Sequence, residues 1–71
     1  MYKTMFAIFL ELLTKGKVSR QHLANKLYCS ERSISRYIDR LIDEGVPIKI
    51  LKGRSGGYEL NGEFVASLKR F

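Results

Sequence analysis

One cysteine, one proline and one histidine occur in 71 residues, and each scarcity removes a class of protein. The single thiol, Cys29, closes no disulfide, so the staple of small secreted domains is missing and a reducing, cytoplasmic setting is expected. Cys29 precedes a helix start, but no base partners it; a small buried apolar role is expected. His22 has no second histidine and no cysteine at ligand spacing, which leaves a metal site short of donors. A surface or capping role is expected for it. Long apolar runs are also missing: Lys3, Thr4 and Glu11 interrupt residues 1–13 and no small-residue cleavage site follows, so neither a signal peptide nor a membrane span is expected. Length excludes more. A chain this short buries about 60% of its unfolded surface, too little for a deep catalytic cleft between two lobes. No repeat, low-complexity tract or second domain is visible.

The remaining chemistry is equally sparse. Gly53 to Gly57 has neither the spacing nor the Lys-Ser/Thr ending of a phosphate-binding loop. Asp43 and Glu44 sit at a helix end without a cleft. Tyr2, Tyr28, Tyr37 and Tyr58 are scattered singly, which is no stacking platform for single strands. No enzymatic activity and no cofactor are expected.

What is present is apolar surface and positive charge. Hydrophobic residues make up 45% and charged residues 28%, enough to fold rather than stay disordered. Thirteen Lys and Arg against seven Asp and Glu give a formal net charge of +6, which favours solubility and attraction to polyanions.

Along the chain, Phe6, Phe9, Leu10 and Leu13 follow the i, i+3, i+4, i+7 template of an amphipathic helix over residues 2–14. A second stripe, Met5, Ile8 and Leu12, leaves Lys3, Thr4, Ala7, Glu11 and Thr14 for solvent. Either both stripes enter one core, or the second meets a partner chain or a missing part of a longer protein. Gly16, flanked by Lys15 and Lys17, ends this helix. Ser19 is a good N-cap for a short helix over residues 20–27, with Val18 and Leu23 placed as a hydrophobic staple. Ser30 caps a third helix over residues 31–44, which Gly45 closes and Pro47 prevents from restarting. On it Ile34, Tyr37, Ile38, Leu41 and Ile42 gather into an apolar arc. Arg32, Arg36 and Arg40, four residues apart, form a stripe on the far side. Alternation then takes over: a strand through Ile48 to Leu51, a basic glycine-rich tip over residues 52–57, and a second strand from Tyr58 predict a β-hairpin. Residues 61–71 read as a short tail or linker helix capped by Asn61, with Phe64 and Leu68 on one side.

Two short helices joined by a tight turn, the second apolar inside and basic outside, have the layout of a helix-turn-helix. A major groove about 12 Å wide admits one helix, whose first turns reach base edges and whose N–H groups favour phosphate. Ser30, Arg32, Ser33, Ser35 and Arg36 occupy that end. Arg32 and Arg36 are the leading base readers, since the guanidinium fork matches guanine O6 and N7; Arg40, a turn further on, suits phosphate. Asp39, Asp43 and Glu44 restrict insertion to the first two turns. These acids offer an ordinary alternative, pairing with Arg36 and Arg40 on a solvated face. The hairpin shifts the balance, because Lys49, Lys52 and Arg54 have no acidic neighbour before Glu59, and its glycines allow close approach to a phosphate or minor groove. Ser19 and Arg20, at the start of the second helix, complete the expected DNA-binding set. The fold expected is mainly α with a small β-hairpin, a three-helix winged helix-turn-helix over residues 1–60.

The order Gly16 to Ser19, Leu23 to Leu27, Ser30 to Leu41, Glu44 to Ile48 and Gly53 to Leu60 resembles the N-terminal winged helix-turn-helix of DeoR-like and WYL-domain transcriptional regulators. Regulators of sugar-phosphotransferase operons and the biotin repressor's N-terminal domain are similar. The resemblance covers residues 3–60. It implies a bacterial transcriptional regulator that binds double-stranded DNA, through Arg32, Ser33 and Arg36 on the recognition helix and Gly53, Arg54, Gly56, Gly57 and Tyr58 in the wing. It also implies a homodimer, held through the first helix, the C-terminal tail or an effector domain beyond this chain. Two positions depart from the family: Tyr28 stands where a glycine is usual, and Glu31 replaces a commonly basic residue. A protein-docking winged helix is the alternative, and a biotin-ligase-like enzyme lacking its catalytic part is a distant third.

Overall fold

The computed structural model describes residues 2–69 except Ser55, with Tyr2 by its backbone alone. Its elements run α1 (Tyr2–Lys15), α2 (Arg20–Leu27), α3 (Glu31–Asp43), β1 (Ile48–Leu51), β2 (Gly57–Leu60) and α4 (Gly62–Leu68). Arg70 and Phe71, assigned from the sequence to the tail helix, lie outside the described residues, as does Ser55 of the hairpin tip.

Side-chain caps set three of the helix starts. Ser19 Oγ accepts the His22 N–H at 3.0 Å, Ser30 Oγ accepts that of Ser33 at 3.1 Å, and Asn61 Oδ1 accepts that of Phe64 at 3.0 Å. Each oxygen satisfies an N–H that has no carbonyl partner within its own helix. Gly45 ends α3 at φ +99°, a conformation that costs glycine little.

The two strands pair antiparallel, with Ile48 opposite Leu60 and Lys49 opposite Glu59. A third short segment joins them. Val18 donates to the Tyr58 carbonyl at 3.0 Å and accepts the Tyr58 N–H at 2.7 Å, tying the α1–α2 connection to the hairpin. A Cβ on Gly57 would collide with the Val18 carbonyl, and one on Gly56 with the Leu51 carbonyl. These two glycines therefore have an internal reason for being there.

Ile8, Leu12, Leu23, Ile34 and Ile38 are fully buried, and Met5, Val18, Ala24, Leu41, Tyr58 and Leu60 complete the core. This places α1 differently from its leading stripe. Met5, Ile8 and Leu12 face α2 and α3, while Phe6 remains 60% exposed and Leu10 43% exposed. Phe9 and Leu13 are half-covered, and Phe9 meets Phe64 of α4 edge-on with ring centroids 6.4 Å apart. The second stripe is the core, so it does not await a partner, and the first is divided: Phe9 and Leu13 pack against the core while Phe6 and Leu10 stay outside.

Glu11 explains part of the choice. Expected on the solvated side, it is buried, with Oε1 2.7 Å from Lys26 Nζ and Oε2 2.9 Å from His22 Nε2. Turning Met5, Ile8 and Leu12 inward carries Glu11 onto α2, where two partners offset the cost of burying a carboxylate. Those partners, the Lys26 hydrogen bond first and the His22 hydrogen bond second, hold its pKa below the ordinary 4.5. Ile42, counted in the apolar arc of α3, is exposed; it lies at the edge of the arc, beyond the reach of the packed helices.

Candidate nucleic-acid interface

The face of α3 opposite Ile34, Ile38 and Leu41 carries Arg32, Arg36 and Arg40, all exposed. Among the described residues no ion pair joins Arg36 to Asp39, or Arg40 to Asp43 or Glu44. The ordinary alternative, a face of internal ion pairs, is absent from the geometry. Arg36 and Arg40, with Ser33 and Tyr37, line a shallow hollow of about 310 Å³ on one flank of the helix.

The other flank meets α2 and the hairpin. Ser19, Arg20, Glu31, Lys52 and Gly53 are among the residues lining an open groove of about 480 Å³. Lys52 and Gly53 of the hairpin thus share this groove with Glu31, the first residue of α3. Lys52 and Arg54 are exposed, and Gly53 adopts φ +101° at the turn between them. Lys49 also points to solvent, but Glu59 stands directly across the ladder from it, and an opposite charge at that spacing reduces its pull on an anion.

Several of the expected polar contacts are already engaged within the protein. Ser19 and Ser30 act as caps, and the Ser30 hydroxyl also donates to Ser33 Oγ at 3.0 Å. Arg20 donates from Nε to Glu31 Oε1 at 3.1 Å and from Nη1 to Ser35 Oγ at 3.1 Å. Arg20, Ser35 and Glu31 thus form one cluster between the first residue of α2 and the first two turns of α3. Glu31 was not among the expected binding residues; opposite charges at the two helix starts were the one local signal for this pairing.

The turn between α2 and α3 is strained. Tyr28 adopts the left-handed conformation (φ 55°, ψ 42°) and is 96% exposed. The positive φ falls at the position where the resemblance leads one to expect glycine. Cys29 is half-buried against the core, its thiol 3.3 Å from the Leu27 carbonyl. His22 is exposed, as expected of a surface residue, and its ring is the second partner of Glu11. Among the described residues no cluster of three His, Cys, Asp or Glu is arranged to hold a metal, and no helix is long and apolar enough to cross a membrane.

Two short helices at a tight turn, an outward basic helix and a two-stranded hairpin beside its start define a winged helix-turn-helix. The comparison with protein families agrees: a family model described as an HTH domain matches residues 4–59, and the chain belongs to that family. No curated protein and no solved structure matches it.

Proposed function

We propose that this domain binds double-stranded DNA in a sequence-dependent manner as part of a bacterial transcriptional regulator, related to the DeoR-like and WYL-domain type. The observation that carries this reading is the outward row Arg32, Arg36 and Arg40, which has no ion pair among the described residues, with Lys52 of the hairpin lining the same open groove as Glu31 at the start of that helix. The N-terminal turns of α3 enter the major groove, where Arg32 and Arg36 read base edges and Arg40 meets phosphate. The hairpin lies on the neighbouring backbone or minor groove. Two copies on a two-fold operator follow from the resemblance, and the exposed Phe6 and Leu10 supply an apolar face on which they meet.

Binding is measured by fluorescence anisotropy on a duplex selected from a random pool and on random duplex, across a salt series. Arg36→Ala is expected to lower the ratio of the two affinities, by about tenfold for a lost bidentate contact. Lys52→Ala is expected to weaken both duplexes alike and to flatten the plot of log K against log salt by about one unit. Equal losses on both duplexes for Arg36→Ala remove its assignment as a base reader. No binding to either duplex at low salt favours a protein-docking role for the same surface.

A further inference from the structure

We infer that Glu31 is a positioning residue that makes Arg20, a residue of α2, a third sequence-reading arginine beside Arg32 and Arg36. The inference deepens the DNA-binding reading and rests on it.

Its basis is the geometry around one guanidinium. Arg20 Nε donates to Glu31 Oε1 and Nη1 to Ser35 Oγ, each at 3.1 Å. A guanidinium has five N–H donors in a rigid plane, so these two bonds fix its orientation and leave three donors free. Glu31 and Ser35 are four residues apart and share one side of α3. Ser35 lies only about 60° around the helix from Arg32, at 100° per residue. The fork is therefore held against the flank of the helix that carries the outward arginines, and the Arg20 side chain is still 52% exposed.

An isolated pair this exposed adds little to folding. A carboxylate at the first position of a helix that approaches DNA repels phosphate, so as a mere surface charge it acts against binding. As a support it acts for specificity: it removes the rotamer freedom of Arg20 before the duplex arrives, and less entropy is then lost when the free N–H groups meet an acceptor pair such as guanine O6 and N7. The two roles give opposite signs, and so they are separable.

The test compares the wild type with Glu31→Gln and Arg20→Lys on the selected duplex, on a set carrying single base-pair changes, and on random duplex. Gln keeps the length of the side chain but removes the charge that holds the fork; Lys keeps the charge of Arg20 but not its fork. Under this inference Glu31→Gln binds random duplex more tightly, yet its preference at one base pair falls by about tenfold, and Arg20→Lys loses preference at that same base pair. If Glu31→Gln raises affinity for all duplexes by one factor, the carboxylate only repels and the inference fails. If Arg20→Lys leaves every preference intact, Arg20 is a phosphate contact and the inference fails as well. Failure of the wild type to bind any duplex overturns the proposed function together with this inference. Relaxed preference in Arg36→Ala beside unchanged preferences in Glu31→Gln overturns the inference alone. Unfolding curves check that both variants remain folded, the expected result because Arg20 and Glu31 are exposed and neither substitution touches a core side chain.

Discussion

Tyr28 is the non-glycine residue with positive φ among those described, and its side chain is almost wholly in solvent. A side chain with a Cβ in the left-handed region costs about 1–2 kcal/mol, and an exposed ring regains little of that by packing. Glycine at this position removes the strain but frees the unfolded chain, an opposing effect of about 0.5–1 kcal/mol. Tyr28→Gly is therefore expected to stabilise the fold by roughly 1 kcal/mol, read as a higher urea midpoint with an unchanged m-value. Tyr28→Asn, which tolerates the same conformation without the unfolded-state cost, is expected to gain at least as much. A lower midpoint in both variants would show that the ring makes a stabilising contact. The strain was legible in the sequence because the resemblance places glycine here. The cluster of Arg20, Glu31 and Ser35 was not: residues 11 and 15 apart meet through the angle between two helices, and the opposite charges at the two helix starts do not encode that angle.

Among the elements, α3 was the most readable and α1 the least. In α3 the isoleucines recur on one side and the arginines on the other, and one apolar arc facing one basic stripe leaves a single way to pack. Ser30 and Gly45 mark its ends. In α1 two apolar stripes compete, and periodicity says that both want cover without saying which faces α2. The structure buries Met5, Ile8 and Leu12 and leaves Phe6 and Leu10 outside, with α4 covering only the Phe9 side. The choice is testable by truncation. Ile8→Ala opens a cavity in the core and is expected to cost about 2–5 kcal/mol. Phe6→Ala removes a larger side chain from a site 60% exposed and is expected to cost under about 1 kcal/mol, because little of its surface is buried on folding. Chemical denaturation of the two variants checks this, and a Phe6 loss as large as the Ile8 loss would mean that the outward face is covered in solution. The hairpin was legible from its alternation and its glycines, though the role of Gly56 and Gly57 in admitting the Val18 segment and closing the tip needed the third dimension.

At the scale of the whole molecule, the basic face of α3 is only as rigid as the packing of α1, α2 and α3 behind it, and Glu11 is the charged tie between the first two. Its carboxylate meets Lys26 Nζ at 2.7 Å and His22 Nε2 at 2.9 Å, and its side chain is 10% exposed, so the pairs are shielded from solvent on the Glu11 side. The Lys26 and His22 hydrogen bonds hold the Glu11 pKa below 4.5, which means that the folded state releases this proton more readily than the unfolded chain does. Stability from that difference is fully present above the unfolded value of 4.5 and is lost as pH falls through the lower folded value. Unfolding free energies of the wild type and Glu11→Gln, measured by urea at steps from neutral pH down to about pH 3, isolate this group from the other carboxylates that titrate in the same range. At neutral pH the variant is expected to be less stable by about 1–3 kcal/mol, the usual cost of losing hydrogen bonds to a charged group. As pH falls below 4.5 the gap is expected to shrink, and the two curves meet once pH passes the lower folded value, where the wild-type carboxyl carries the proton that makes it resemble the amide. A gap that stays constant across the acid range would mean that Glu11 contributes by shape and not by charge, and the α1–α2 junction would then rest on Ile8, Leu12 and Leu23 alone.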